Sequence, residues 1–281
     1  MSRIAAAFDR MRDERRVGLV TYVTAGDPSL DRSADILCAL DRAGADVLEV
    51  GVPFSDPLAD GPVIQRACER ALAAGATLDR VLDLVGSVRA SVRAPIVLFS
   101  YANPLYRMGF DVFAARAAAA GADGVLALDI PVEESGPLRA ALVANGLDPI
   151  FLLSPTTTPG RMRNAAELGR GFLYLISRAG VTGARDRLAD DLPGMAARVR
   201  AASRLPLAVG FGLSRPEHVR ALAGIADAAV VGSALVSVIA EAGAAPDLLP
   251  RVERYVRWLR GGTPDGGLRE RGGGDTLLKR E

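Results

Sequence analysis

The chain has 281 residues, with 34 basic and 33 acidic side chains for a net charge of +1, and 49% apolar residues. So even a balance excludes the usual electrostatics of a nucleic-acid or anionic-membrane partner, and no window approaches the ~18 uninterrupted apolar residues of a membrane helix. One histidine (His218), one lysine (Lys279) and two cysteines (Cys38, Cys68) exclude a His-rich metal centre, a disulfide framework and a Schiff-base lysine outside the extreme tail.

The N-terminal stretch "MSRIAAAFDRMRDERR" is charged throughout and lacks the apolar core of a signal peptide, so a cytoplasmic location is expected. Short aliphatic runs then recur: "GLVTYVT" (18–24), "DVLEVG" (46–51), "PIVLFS" (95–100), "DGVLALDI" (123–130), "DPIFLLS" (148–154), "GFLYLIS" (171–177), "PLAVGF" (206–211) and "DAAVVG" (227–232). Amphipathic segments at helical spacing separate them, at 29–43, 63–74, 110–120, 135–145, 158–168, 192–203 and 216–223. The long second connection leaves room for an extra helix at about 78–92. Strands apolar on both sides, alternating with helices, indicate parallel βαβ units, and eight of them in ~250 residues predict a single-domain (β/α)8 TIM barrel. Its expected extent is 1–260. The tail 261–281 holds seven glycines among charges and is expected to be disordered.

Caps agree with this parsing. Asp27 or Ser29 and then Ser214 stand where N-caps are wanted, and Gly44, Gly121 and Gly146 stand where helices should stop. Cys38 and Cys68 read as core-packing residues. Tyr255 and Trp258 recur at helical spacing and predict a packed terminal helix, whereas His218 reads as a surface residue pointing away from the barrel mouth.

Chemistry in such a barrel belongs at the C-terminal ends of the strands. In the second strand, alternation sets Val47, Glu49 and Gly51 on one face and Leu48 and Val50 on the other, turning Glu49 into the mouth. A carboxylate desolvated there has a raised pKa and can give and take a proton near neutrality; the competing reading is a structural glutamate paired with an arginine. The loop "PFSDPLADGP" follows, and its prolines forbid a helix. Asp60 in that loop is either a turn-former or a second carboxylate folded over the same mouth, and Asp129 is either a turn residue or a support. Glycines ending the last two strands, in "VGFGLS" and "VVGSAL", each open a helix whose backbone amides can hold a phosphate together with Ser233. "ISRAGVTGAR" after the sixth strand reads as a mobile lid, from which Gly183 can add another amide.

The segment "LEVGVPFSDPLADGP" resembles the signature of the tryptophan synthase alpha chain family. The likeness continues in order through "YANPLYRMG", "DIPVEES", "SRAGVTGAR", "VGFGLSRPEHV" and "VVGSALV", over about residues 5–245. It implies retro-aldol cleavage of indole-3-glycerol phosphate to indole and glyceraldehyde 3-phosphate. By the same resemblance, Glu49 matches the acid/base group and Asp60 the carboxylate that holds the indole N–H. Gly183, Gly212, Gly232 and Ser233 match the phosphate cradle, Tyr174 a pocket wall, and Thr182 the lid residue that meets Asp60. Tyr22 stands where many members have Phe. The family pairs with a beta chain carrying pyridoxal phosphate, as an alpha2-beta2 tetramer, so neither cofactor nor metal is expected in this chain. A stand-alone lyase releasing indole, or a mainly regulatory subunit, are the alternatives.

Overall fold

The eight aliphatic runs become eight strands: β1 (Gly18–Thr24), β2 (Val47–Gly51), β3 (Ile96–Ser100), β4 (Gly124–Ala127), β5 (Asp148–Leu153), β6 (Leu173–Ile176), β7 (Leu207–Gly210) and β8 (Ala228–Val231). They pair in parallel in chain order, and β8 returns to β1 with Gly18 beside Ala228, closing the barrel. The structure, a computed structural model, describes residues 2–176, 191–210 and 212–262. The tail expected to be disordered therefore lies outside the described residues from 263 onward.

The helices are α1 (Arg3–Asp13), α2 (Leu30–Ala43), α3 (Pro62–Ala73), α4 (Leu78–Val88), α5 (Ala102–Met108), α6 (Phe110–Ala120), α7 (Gly136–Ala144), α8 (Pro159–Leu168), α9 (Leu192–Ala202), α10 (Pro216–Arg220), α11 (Ser233–Ala242) and α12 (Leu248–Leu259). Four of them begin on a side-chain cap, α1 on Ser2. Ser29 accepts from Arg32 N, Thr77 from Arg80 N and Thr158 from Arg161 N, while Gly44 ends α2 at φ 96°, a conformation that costs glycine little. Asp27 does not cap α2; it takes a two-pronged hydrogen bond from Arg70 of α3 at 2.7 and 2.8 Å. Among the described residues, no helix is long and apolar enough to cross a membrane.

The core has two layers, as the alternation requires. Leu48, Val50 and Leu98 face the helices, whereas Val20, Val47, Val97, Leu126, Ile150 and Val230 fill the barrel interior. The interior layer is completed from below by α1. Ile4, Ala7, Phe8 and Met11 form its one apolar face and plug the N-terminal end, with Phe8 5.4 Å from Phe172 between ring centroids.

His218 departs from expectation. It is only 7% exposed, and its Nδ1 accepts from the backbone N–H of Ser214 at 3.2 Å. The cause is local: α10 is five residues long, and the loop before it folds back onto the helix. Tyr255 of α12 donates to Ser214 O at 2.9 Å and seals the corner. Ser214 is consequently not the N-cap of α10; Arg215 occupies that position. Tyr255 and Trp258 do lie on a packed terminal helix, and Cys68 is buried beside Tyr22 and Ile64, with Cys38 half-buried against the outer core.

Asp46 is a second structural anchor. Buried at the start of β2, it accepts from both terminal nitrogens of Arg16 at 2.7 Å, from Leu19 N at 2.9 Å and from Arg260 at 3.2 Å. It ties the turn after α1 and the end of α12 to the bottom of the barrel. Removing one partner of such a pair strands the other charges. Asp46→Ala is therefore expected to cost about 3 kcal/mol in urea unfolding; an unchanged midpoint would show that the anchor contributes nothing.

Candidate active site

Glu49 sits in the centre of β2, between Tyr22 on β1 and Val97 on β3, and is 1% exposed. Its side chain turns inward because Leu48 and Val50 take the outward face. Neither carboxylate oxygen has a hydrogen-bond partner among the described residues, so no described arginine pairs with it. Burial alone pushes its pKa up to about 8.

Asp60 reaches the same cavity on the loop between β2 and α3. The loop is held internally: Asp60 N donates to Pro57 O at 3.0 Å, and the Gln65 side chain donates to Asp60 O at 2.9 Å. Tyr101, the first residue beyond β3, donates its hydroxyl to Asp60 Oδ2 at 2.9 Å and accepts from Ala59 N at 3.1 Å. Burial raises the Asp60 pKa to about 6, with the Tyr101 hydrogen bond holding it down. Near neutrality, then, two carboxyl groups of one cavity stand in opposite protonation states, Glu49 neutral and Asp60 ionised.

Two phenols form the walls. The Tyr22 ring meets Phe99 edge-on at 5.1 Å, and its hydroxyl lies 3.3 Å from the Thr24 hydroxyl. That hydroxyl occupies the space in front of Gly51, where a Cβ would come within 2.2 Å of it. Tyr174 stands in the same way over Gly210, at 2.3 Å. These strand-end glycines thus make room for aromatic walls. Burial, reinforced by nearby acids, pushes both phenols well up, so both stay neutral.

Gly212, Gly232 and Ser233 line the remaining side of the cavity, which encloses about 150 Å³. Gly232 is the N-cap of α11 with no side chain capping it, leaving first-turn N–H groups for an anion. Thr182 and Gly183, with the expected lid, lie outside the described residues. Phe99, Leu128 and Leu152 form the apolar floor; their aliphatic-run pattern does not distinguish them, or Tyr101, from core residues in the sequence. The strand-end rule that selects Glu49 applies equally to Tyr101, within the quoted "YANPLY". Asp129 lies in the turn after β4 and also accepts from Ala102 N, beside Tyr101, at 2.7 Å, so it combines a turn position with a supporting contact. Cavities of about 290 and 450 Å³ open elsewhere, but neither contains an unpartnered buried carboxylate. Among the described residues, no cluster of three His, Cys, Asp or Glu side chains is arranged to hold a metal.

A closed (β/α)8 barrel with two differently tuned carboxyl groups at its strand-end mouth defines a barrel enzyme working by proton transfer. The family model for the tryptophan synthase alpha chain matches residues 8–257. The chain is 48% identical to the tryptophan synthase alpha chain of Solibacter usitatus over 262 residues, covering 93% of this chain and 98% of that one. Among solved structures, Mycobacterium tuberculosis tryptophan synthase superposes with a TM-score of 0.86 at 38% identity, covering 94% of this chain and 99% of that chain. Subunit alpha from Legionella pneumophila gives 0.83 at 39% identity, covering 93% and 98%. The chain belongs to the tryptophan synthase alpha chain family. It is accordingly a lyase subunit of tryptophan biosynthesis, cleaving indole-3-glycerol phosphate, and the family implies a beta-chain partner. Neither alternative, the stand-alone lyase or the regulatory relic, is favoured by these relatives.

The pKa of Glu49 generates a stability prediction. Between its ordinary value of 4.5 and about 8, the folded protein keeps a proton that the unfolded chain releases. Stability must fall as pH rises through that window and level off above it, by a few kcal/mol in all. Comparing urea unfolding at pH 5 and pH 9, Glu49→Gln is expected to gain on the parent protein at the higher pH. A constant difference at both values would rule out the raised pKa.

Proposed function

We propose that Glu49 is the proton carrier of the cleavage and Asp60 the anion that holds the indole. The observation carrying this reading is the unpartnered Glu49 carboxyl facing a tyrosine-walled cavity shared with Asp60. Aldol cleavage needs an electron sink, and indole can be its own. Neutral Glu49 protonates indole C3, giving an indolenium. The resulting carboxylate then takes the proton of the glycerol hydroxyl next to the breaking bond. The electrons of the C–C bond pass into the indolenium, releasing indole and an aldehyde, and Glu49 ends protonated as it began. Asp60 accepts the indole N–H and balances the positive charge that develops on the ring, a role suited to a carboxyl ionised near pH 7.

In this reading Tyr22 and Tyr174 wall the indole. Gly212, Gly232, Ser233 and Gly183 bind the phosphate through backbone amides and a hydroxyl, and Thr182 meets Asp60 on closure. The catalytic unit is residues 1–260, and 261–281 is an appendage. The partner is a beta chain in an alpha2-beta2 tetramer that carries the pyridoxal phosphate and receives the indole, with the complex residing in the cytoplasm.

Glu49→Gln and Asp60→Asn are each expected to lower kcat at least ~100-fold, the scale of losing a positioned acid or base, while keeping the native circular dichroism spectrum. Indole release from indole-3-glycerol phosphate, with and without a cognate beta chain, provides the assay. Near-normal turnover by folded Glu49→Gln would remove Glu49 from the chemistry.

A further inference from the structure

The end of the barrel opposite the site carries its own concavity, about 450 Å³, between the turn after α1, α10 and the end of α12. Its floor is apolar, with Leu19 and Leu259 almost fully buried. Its rim is cationic, formed by Arg15, Arg16, Arg220 and Arg260. Two of these are engaged: Arg16 and Arg260 both bind Asp46, and Arg16 also pairs with Glu14. Among the described residues, Arg220 is held only by an exposed ion pair with Glu217, an interaction of little worth in water. The Arg15 side chain makes no hydrogen bond or ion pair among the described residues.

The backbone at Arg15 supplies a second, independent observation. Arg15 is the one non-glycine residue with positive φ (52°) among the described residues. It follows the last turn of α1, where Arg15 N donates to Arg12 O at 3.0 Å and Arg16 N to Met11 O at 3.1 Å. That is a helix-terminating turn whose left-handed position normally belongs to glycine. An arginine there carries a conformational cost, and no side-chain hydrogen bond or ion pair among the described residues offsets it.

We propose that this cavity binds a small organic anion, a carboxylate or phosphate carried on an apolar body. Arg15 and Arg220 take the oxyanion, for which the guanidinium fork is suited, and the Leu19–Leu259 floor takes the apolar part. The volume falls in the range of small-molecule sites. The site lies at the far end of the barrel from Glu49 and is independent of the cleavage reaction.

Calorimetric titration of the full chain with 1-naphthoate, the neutral 1-naphthalenemethanol and inorganic phosphate tests this. Naphthoate should bind saturably, with the alcohol and phosphate each at least about tenfold weaker, or about 1.4 kcal/mol. Phosphate binding as tightly as naphthoate would remove the apolar half of the proposal, and an equally tight alcohol the anionic half. Arg15→Gly should unfold at the same or higher denaturant concentration, because glycine suits the left-handed turn, yet weaken this naphthoate site about tenfold. Arg15→Lys should retain most of the affinity, and indole-3-glycerol phosphate cleavage should be unchanged in both variants. An unaltered naphthoate isotherm in Arg15→Gly, or no saturable binding to the parent chain, would overturn the proposal.

Discussion

Desolvation of one carboxyl group is the constraint around which the upper half of this barrel is arranged. Glu49 has no hydrogen-bond partner for either oxygen among the described residues, and its strand neighbours are Tyr22 and Val97. An isolated ionised carboxylate in such surroundings is expensive, so the group stays protonated at neutral pH and the fold bears the remaining cost. Asp60 is less completely buried, starts from a lower ordinary value (3.8 against 4.5) and accepts a hydroxyl from Tyr101. These three differences together keep its pKa below that of Glu49.

The two ends of the barrel answer to different requirements. At the N-terminal end, the buried Asp46 is matched by Arg16, Arg260 and a backbone amide, and α1 closes the interior with an apolar face. At the C-terminal end, stability is sacrificed, with an unpaired acid, glycines in place of packing side chains, and an uncapped helix start. That asymmetry is the usual division of labour in (β/α)8 enzymes, where chemistry gathers at the strand ends.

Much of this architecture was legible in the sequence because parallel strands buried on both faces read as uninterrupted aliphatic runs. All eight runs became strands, and a glutamate within one of them could only face the mouth once Leu48 and Val50 took the outer side. What escaped depended on long-range contacts. The α1 face of Ile4, Ala7, Phe8 and Met11 is masked by surrounding charges, and its purpose exists only once a barrel end needs a plug. Tyr101 matters because its hydroxyl meets a residue 41 positions away. His218 was misread because helical spacing gives the face of α10 but not the loop that folds back on it or the Tyr255 hydrogen bond that seals that corner. Glycines 51 and 210 look like turn residues in sequence, and only the phenols standing over them reveal why a side chain is not tolerated.

The central claim is that Glu49 and Asp60 occupy opposite protonation states in one cavity. Carboxyl-carbon NMR titration of the ligand-free chain, with resonances assigned by difference against Glu49→Gln and Asp60→Asn, reads both groups directly. The expected midpoints are about 8 for Glu49 and about 6 for Asp60. A Glu49 resonance titrating near the ordinary glutamate value of 4.5 would contradict the account.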